Sequence, residues 1–268
     1  MYGRADISDP YDILKWMVEI LEESEKKGEK VQILGHIPPG DDECLQAWSW
    51  NYYRIISRFG HIITGQFFGH IHKDYFVMYY DAETLTQPKS VAFVGPPGTP
   101  FRHNNIAYRI YEFDSTNFVI IIFLFSLSYF ELFSPFLVLN QNLVDFKTYY
   151  ADLEKSNAMD TTTKMVWDLE YSAKEAYGMA DLSPQSWSDF MENMKTNMTL
   201  FEVYLKHFQV SVADLILEPC GYECRRTRLC ESYQGFSNVN EDWCEHFYPK
   251  PAMPNNGAQC SSRFIKRP

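Results

Sequence analysis

Val31-Gln32-Ile33-Leu34-Gly35-His36-Ile37-Pro38-Pro39-Gly40 is the stretch on which the fold turns. Val31–Leu34 reads as a short buried strand, and the glycine and paired prolines after it read as a loop at its C-terminal end. Upstream, residues 9–28 read as a helix. Asp9 can cap it, Pro10 suits its first turn, and Ile13, Leu14, Met17, Val18 and Leu21 form one apolar stripe. The charged run from Glu22 to Lys30, with Gly28 inside it, ends that helix on solvent. Helix, buried strand, then functional loop is the rhythm of an α/β sheet, whose sites gather at strand ends.

The rhythm continues. Trp48–Arg58 predicts a helix, and Ile62–Phe68 a second buried strand leading into Gly69-His70-Ile71-His72. Tyr75–Tyr80, Ser90–Gly95 and Ile106–Phe113 are strand-like, separated by Pro88, Pro96-Pro97-Gly98 and Asn104-Asn105. Strands without helices between them imply antiparallel or mixed pairing. From Lys164 onward the pattern turns helical. Trp167, Tyr171 and Lys174 to Tyr177 predict one helix, and the aromatic and Met positions from Trp187 to Phe208 predict a second, bent one.

With 46% apolar residues and 16% aromatics over 268 residues, the chain can bury a sizeable core. Its net charge of −11, with no basic cluster, argues against non-specific nucleic-acid binding. Cys44 stands alone, while Cys220, Cys224, Cys230, Cys244 and Cys260 crowd the C-terminal end. Their spacing misses the usual zinc-knuckle pairs, so a disulfide-linked tail and an oxidising compartment are expected. Asn197-Met198-Thr199 is a glycosylation acceptor sequence and agrees with that compartment. No apolar leader follows Met1, and the expectation is that the true N-terminus lies further upstream.

Phe118–Leu139 departs from the α/β pattern, with Glu131 as its only charge. By length it could span a bilayer, at a cost of roughly 3 kcal/mol for the glutamate. A buried hairpin and a segment foreign to the fold are the other readings.

His70 and His72 alone are a modest signal for metal. Gly35-His36 at the end of another strand strengthens it, because strand ends in an α/β sheet converge and imidazoles suit zinc. His61, His207 and His246 have no partner at ligand spacing. His103 lies in a Gly/Pro/Asn loop that could face the site. Trp50, Tyr52 and Tyr53, with His103, could line a pocket for a choline-type headgroup, although aromatics at this density on a helix are more often core. No Ser-His-Asp arrangement or glycine-rich phosphate loop is present.

Three motifs then carry a resemblance: Gly35-His36-Ile37-Pro38-Pro39-Gly40, Trp48-Ser49-Trp50-Asn51-Tyr52-Tyr53-Arg54, and Gln66-Phe67-Phe68-Gly69-His70-Ile71-His72. Together they resemble acid sphingomyelinase and its phosphodiesterase relatives, within the calcineurin-like metallophosphoesterases. The resemblance implies an α/β (α+β) fold: the C-terminal half of a β-sandwich flanked by helices over residues 1–155, then a helical, disulfide-linked subdomain over 156–268. It implies a two-zinc centre, with His36 and His70 on one ion and His72 on the other, and a metal-activated water that cleaves sphingomyelin to ceramide and phosphocholine. It also implies Cys220–Cys224 and Cys230–Cys244 bridges, with Cys260 free and Cys44 deprived of an upstream partner.

The chain departs from that family. The D-x-H, G-D-x-x-D and G-N-H-type motifs, with the bridging Asp and the acid histidine they supply, are absent. At most one weakly held zinc and little activity are therefore expected. Residues 118–142 interrupt what the family makes a short link, which suggests translated intron or another gene-model error over a membrane anchor. The implied partner is a phospholipid at a membrane surface, and the implied location secreted or lysosomal. The rivals are a non-catalytic binding protein on the same scaffold and a phosphodiesterase acting on nucleotides or other phosphodiesters.

Overall fold

The first helix starts one turn later than its cap suggests. Asp9 accepts from the backbone N–H groups of Leu14 and Lys15 at 2.9 and 3.0 Å, reaching past a short 3-10 turn at Pro10–Asp12. Helix α1 runs Ile13–Lys27 and ends at Gly28, whose φ of 71° is the left-handed conformation that closes a helix. Leu14 and Leu21 are buried, while Ile13 faces solvent. The computed structural model describes residues 9–101, 104–114, 122–123, 142–159, 164–212, 220–237 and 244–249.

Two four-stranded sheets form the frame. The first contains β1 (Val31–Leu34), β2 (Ile63–Phe68), β3 (Tyr75–Tyr80) and β4 (Pro88–Val94) in the order β1-β2-β4-β3. Its β1–β2 and β2–β4 pairs are parallel and β3–β4 is antiparallel. The second contains β5 (Ile106–Asp114), β6 (Ile122–Phe123), β7 (Asn142–Ala151) and β8 (Asp168–Ser172) in the order β6-β5-β7-β8, all antiparallel. The expected mixed pairing and the sandwich are both present.

Strand alternation separates two cores. Tyr52, Tyr53, Ile56 and Phe59 of α2 (Gln46–Phe59), with Leu14 and Leu21 of α1, pack on the face of the first sheet that carries Phe68, Val77 and Tyr79. The opposite face, with Phe67, Phe76, Met78 and Phe93, meets Tyr111, Phe146 and Tyr171 of the second sheet. Helices α5 (Pro184–Thr196), α6 (Met198–Phe208) and α7 (Tyr222–Tyr233) complete this larger core. Trp187 of α5 sits at its centre, 4.3 Å from Phe76 and stacked at 6.3 Å on Phe146 by ring centroids. Trp187→Ala would cost about 3–5 kcal/mol.

Two readings need correction. Val31–Leu34 is a strand, but β1 is the edge of its sheet, so it is half-buried and Leu34 is 60% exposed. The helix predicted from Trp167 is instead strand β8 followed by the short α4 (Ala173–Tyr177). Pairing with β7 overrides the helical spacing there. The strand lies beyond residue 155 and belongs by pairing to the second sheet. The bent helix is borne out: α5 and α6 break at Asn197, whose side-chain oxygen caps α6 by accepting from Leu200 N–H at 3.1 Å.

The 118–139 stretch lies outside the described residues, apart from the backbone of 122–123 in β6. No helix among the described residues is long and apolar enough to cross a membrane. The flanking strands β5 and β7 pair from Ile106↔Ala151 to Asp114↔Asn142, so the segment between them begins and ends at directly opposed residues.

Two titrating groups lie beside this second sheet, His207 buried and Glu170 half-buried. His207 stacks on Tyr171 at 3.9 Å and bonds the Tyr177 hydroxyl at 3.0 Å through Nδ1. Burial, with Lys206 and Arg109 adding, lowers it to about 3. Glu170 accepts from the Ser211 hydroxyl at 2.9 Å, and burial followed by the Asp74 charge raises it to about 8.

Two outcomes follow. Replacing residues 115–141 by a tight turn from Asp114 to Asn142 will leave a cooperatively folded protein, as read by circular dichroism melts. The folded state binds fewer protons at His207 than the unfolded state between pH 3 and 6.5, so that contribution is lost as pH falls. It binds more protons at Glu170 between pH 4.5 and 8, so that contribution is lost as pH rises. Of these two, only the glutamate acts above pH 6.5. The melting temperature will therefore decline from pH 6.5 to 8, and Glu170→Gln will remove the decline.

Candidate metal centre

Parallel pairing of β1 with β2 places their C-terminal ends side by side, Leu34 against Phe67. The loops beyond stay joined: Gly35 N–H donates to Phe67 O and Gly69 N–H to His36 O, both at 2.9 Å. Gly95 N–H, after β4, donates to Phe68 O at 2.8 Å. Three strand ends thus converge, and two of them carry histidines.

His36 Nε2 lies 3.3 Å from His70 Nδ1, with the rings edge to face. Two imidazole nitrogens at that distance share either a proton or a cation. A tetrahedral zinc with Zn–N bonds of about 2.0–2.1 Å separates its ligand nitrogens by about 3.3 Å, so the pair fits zinc without rearrangement. His70 and His72 both hold positive φ, 72° and 60°. For non-glycine residues this costs of order 1 kcal/mol or more each, and it persists only where the surroundings enforce it.

Carboxylates stand beside the pair. Asp41, Glu43 and His70 each offer a ligand atom within 4.8 Å of the others, the one such group of three among the described residues. Glu43 Oε1 is 3.5 Å from His70 Nε2. The tight turn after Pro39 brings them in: Asp41 N–H donates to Pro38 O and Glu43 N–H to the Asp41 carboxylate, both at 2.9 Å. Burial raises the Asp41 carboxyl above its usual range, opposed by that Glu43 N–H. A side chain at Gly40 would meet Gln234 O at 1.8 Å, so only glycine lets this turn seat against the end of α7. Ser237 ties the same segments together, donating from Oγ to Cys44 O at 2.9 Å. Asp41 and Glu43 were not among the expected site residues; the acidic run directly after Gly40 is the signal that marks them.

The other expected residues fall as follows. His72 is half-buried, stands outside the group of three, and packs edge-on against Phe101 at 5.7 Å. His103 lies outside the described residues, as does Cys260. Tyr52 and Tyr53 are core residues and not pocket residues, because α2 turns both into the first sheet. There Tyr52 OH donates to Gln66 Oε1 at 2.7 Å and Tyr53 OH accepts from Tyr80 N–H at 2.8 Å. Trp50 is half-buried and stacks on Tyr53. A cavity of about 360 Å³ opens at the other end of β2, lined by His61, Ile63, Gly65, Phe93 and Ser183, away from His36, His70 and His72. The Cys220–Cys224 and Cys230–Cys244 bridges are both formed, the second tying α7 to the short α8 (Cys244–Phe247). Asn197 is exposed.

Cys44 is the free cysteine among the described residues. Burial, with the charges of Asp41 and Glu43 adding, pushes its thiol up to about 11. At pH 8 the native protein should therefore alkylate at Cys44 far more slowly than the unfolded chain, as followed by peptide mapping after iodoacetamide.

Comparison with known proteins shows what the chain is similar to. Residues 87–235 match the family model described as the acid sphingomyelin phosphodiesterase C-terminal region. The chain is 40% identical to sphingomyelin phosphodiesterase 1 of Caenorhabditis elegans over 86% of its own length and 36% of that protein. It is 34% identical to human sphingomyelin phosphodiesterase over 92% of its length and 35% of the relative. Human acid sphingomyelinase-like phosphodiesterase 3b is 28% identical over 86% of the chain. The chain spans about a third of the length of the sphingomyelin phosphodiesterases it matches. A match over this much of the chain has one meaning: it belongs to the acid sphingomyelin phosphodiesterase family.

Proposed function

We propose that the protein serves phosphodiester hydrolysis of the sphingomyelin type, using zinc held at the converging strand ends. The observation that carries this is the 3.3 Å approach of His36 to His70 on loops joined by main-chain hydrogen bonds. Zinc, when bound, supplies an activated water and charge stabilisation at phosphorus. His36 and His70 would present their nitrogens to one ion, and His72, outside that set, would serve a second ion that these residues alone do not retain. Glu43 beside His70 Nε2 orients the ring and favours the tautomer whose Nδ1 is free to bind. The relatives' names support sphingomyelin over nucleotide diesters, and that lipid would be met at a membrane surface.

Three histidines without a buried bridging carboxylate make a weak site, so this chain alone holds at most one zinc and turns over slowly. The two disulfides and the exposed Asn197 sequon support a secreted or lysosomal setting.

Metal analysis of the purified chain, with sphingomyelin and a nucleotide diester as substrates, tests this reading. Up to one zinc per chain is expected. His36→Ala or His70→Ala should abolish it. Two tightly held ions with full turnover would refute the weak-site reading, and zinc retained by the double variant would refute the ligand assignment.

A further inference from the structure

Asp74 lies two residues beyond His72, where the histidine turn re-enters the first sheet as β3. It is 2% exposed, and its side-chain partners all come from the opposite sheet. The carboxylate contacts the Arg109 guanidinium and accepts from the Tyr171 hydroxyl at 3.0 Å and, more weakly, from Thr148 Oγ1 at 3.4 Å. Those three residues form one row across the second sheet. Arg109 on β5 is directly opposite Thr148 on β7, which is opposite Tyr171 on β8. Arg109 is itself held in place: Nε donates to Thr148 Oγ1 at 3.0 Å, Nη2 to Tyr171 OH at 2.8 Å, and its plane lies 3.8 Å over the Phe146 ring. The backbone is fastened as well, with Asp74 N–H donating to Phe208 O at 3.3 Å and Lys73 Nζ to Asn104 Oδ1 at 2.7 Å.

Stability alone gives little reason for this arrangement, since replacing a buried ion pair by apolar groups is often neutral or favourable. A direction is what it supplies. The turn upstream contains two non-glycine residues in left-handed backbone, which would relax if either end were released. Main-chain bonds at Gly69 hold one end, and Asp74 holds the other.

We propose that Asp74, fixed by the Arg109–Thr148–Tyr171 row, is a positioning residue that keeps His70 and His72 in metal-binding geometry, so that the docking of the two sheets sets metal affinity. The inference rests on the zinc reading above. Tyr171→Phe and Thr148→Val each remove one bond to Asp74 while keeping shape. Tyr80→Phe, which loses a comparable buried bond to Ser188 at the far end of β3, is the control. Cobalt(II) titration followed by visible absorption should show about tenfold weaker binding in the first two variants, a typical effect of disturbing a ligand's support. Amide hydrogen exchange of the metal-free chain should accelerate at residues 70–73 in those variants. The control should change neither at a matched loss of melting temperature. Cobalt binding and exchange equal to the control would overturn the inference. If the unaltered chain binds no cobalt, the zinc reading fails, and exchange alone decides the positioning role: acceleration confined to the row variants upholds it, and equal exchange sinks it.

Discussion

Asp74 and Arg109 are two opposite charges, each 2% exposed, one from each sheet. Taking such groups out of water costs several kcal/mol apiece, so they must meet, and they meet in only one alignment of the layers. The apolar surfaces around them are less demanding. Phe76, Phe93, Phe146 and Trp187 would gain much the same burial from several offsets of sheet on sheet, because apolar burial is non-directional. The buried pair removes that freedom. Leaving either charge without its partner would cost about 3–5 kcal/mol, which penalises every slipped arrangement.

The division of labour along the chain is clear in these terms. All three metal-ligating candidates, His36, His70 and His72, precede the region that matches the family model, residues 87–235. That region contributes support: the Arg109 row behind the histidine turn, and Gln234 against Gly40 beneath the acidic turn. Chemistry and scaffold are thus distributed over different parts of the sequence and joined only by packing. The Cys230–Cys244 bridge secures α7, the helix that ends at Gln234 and presses on the acidic turn.

What could be read beforehand depended on how local each signal was. Tyr75–Tyr80 was legible to the residue because an apolar run lies between Asp74 and Asp81. His36 and His70 were legible because glycine-flanked histidines at two strand ends must converge once the strands pair in parallel. Strand β8 was misread because Trp167, Tyr171 and Lys174 happen to sit at helical spacing, while its real partner, β7, is distant in sequence. Tyr52 and Tyr53 were open to two readings, since a helix sequence does not say which side the sheet will lie on. Asp74 carries no local signal in the sequence. A single aspartate at the start of a strand acquires meaning only when three residues from three other strands surround it.

The opposed positions of Asp114 and Asn142 also bear on how the fold is reached. A hairpin joined by a tight turn can zip as a local event, whereas these two strands must find each other across residues 115–141. By chain-entropy scaling that separation adds about 2 kcal/mol to closure relative to a two-residue turn. The β5–β7 ladder is the longest in the structure, and it carries both Arg109 and Thr148. The sheet that aligns the histidine turn is therefore a non-local structure, as is the parallel β1–β2 pairing that brings His36 to His70, and only the β3–β4 hairpin between them is closer-range.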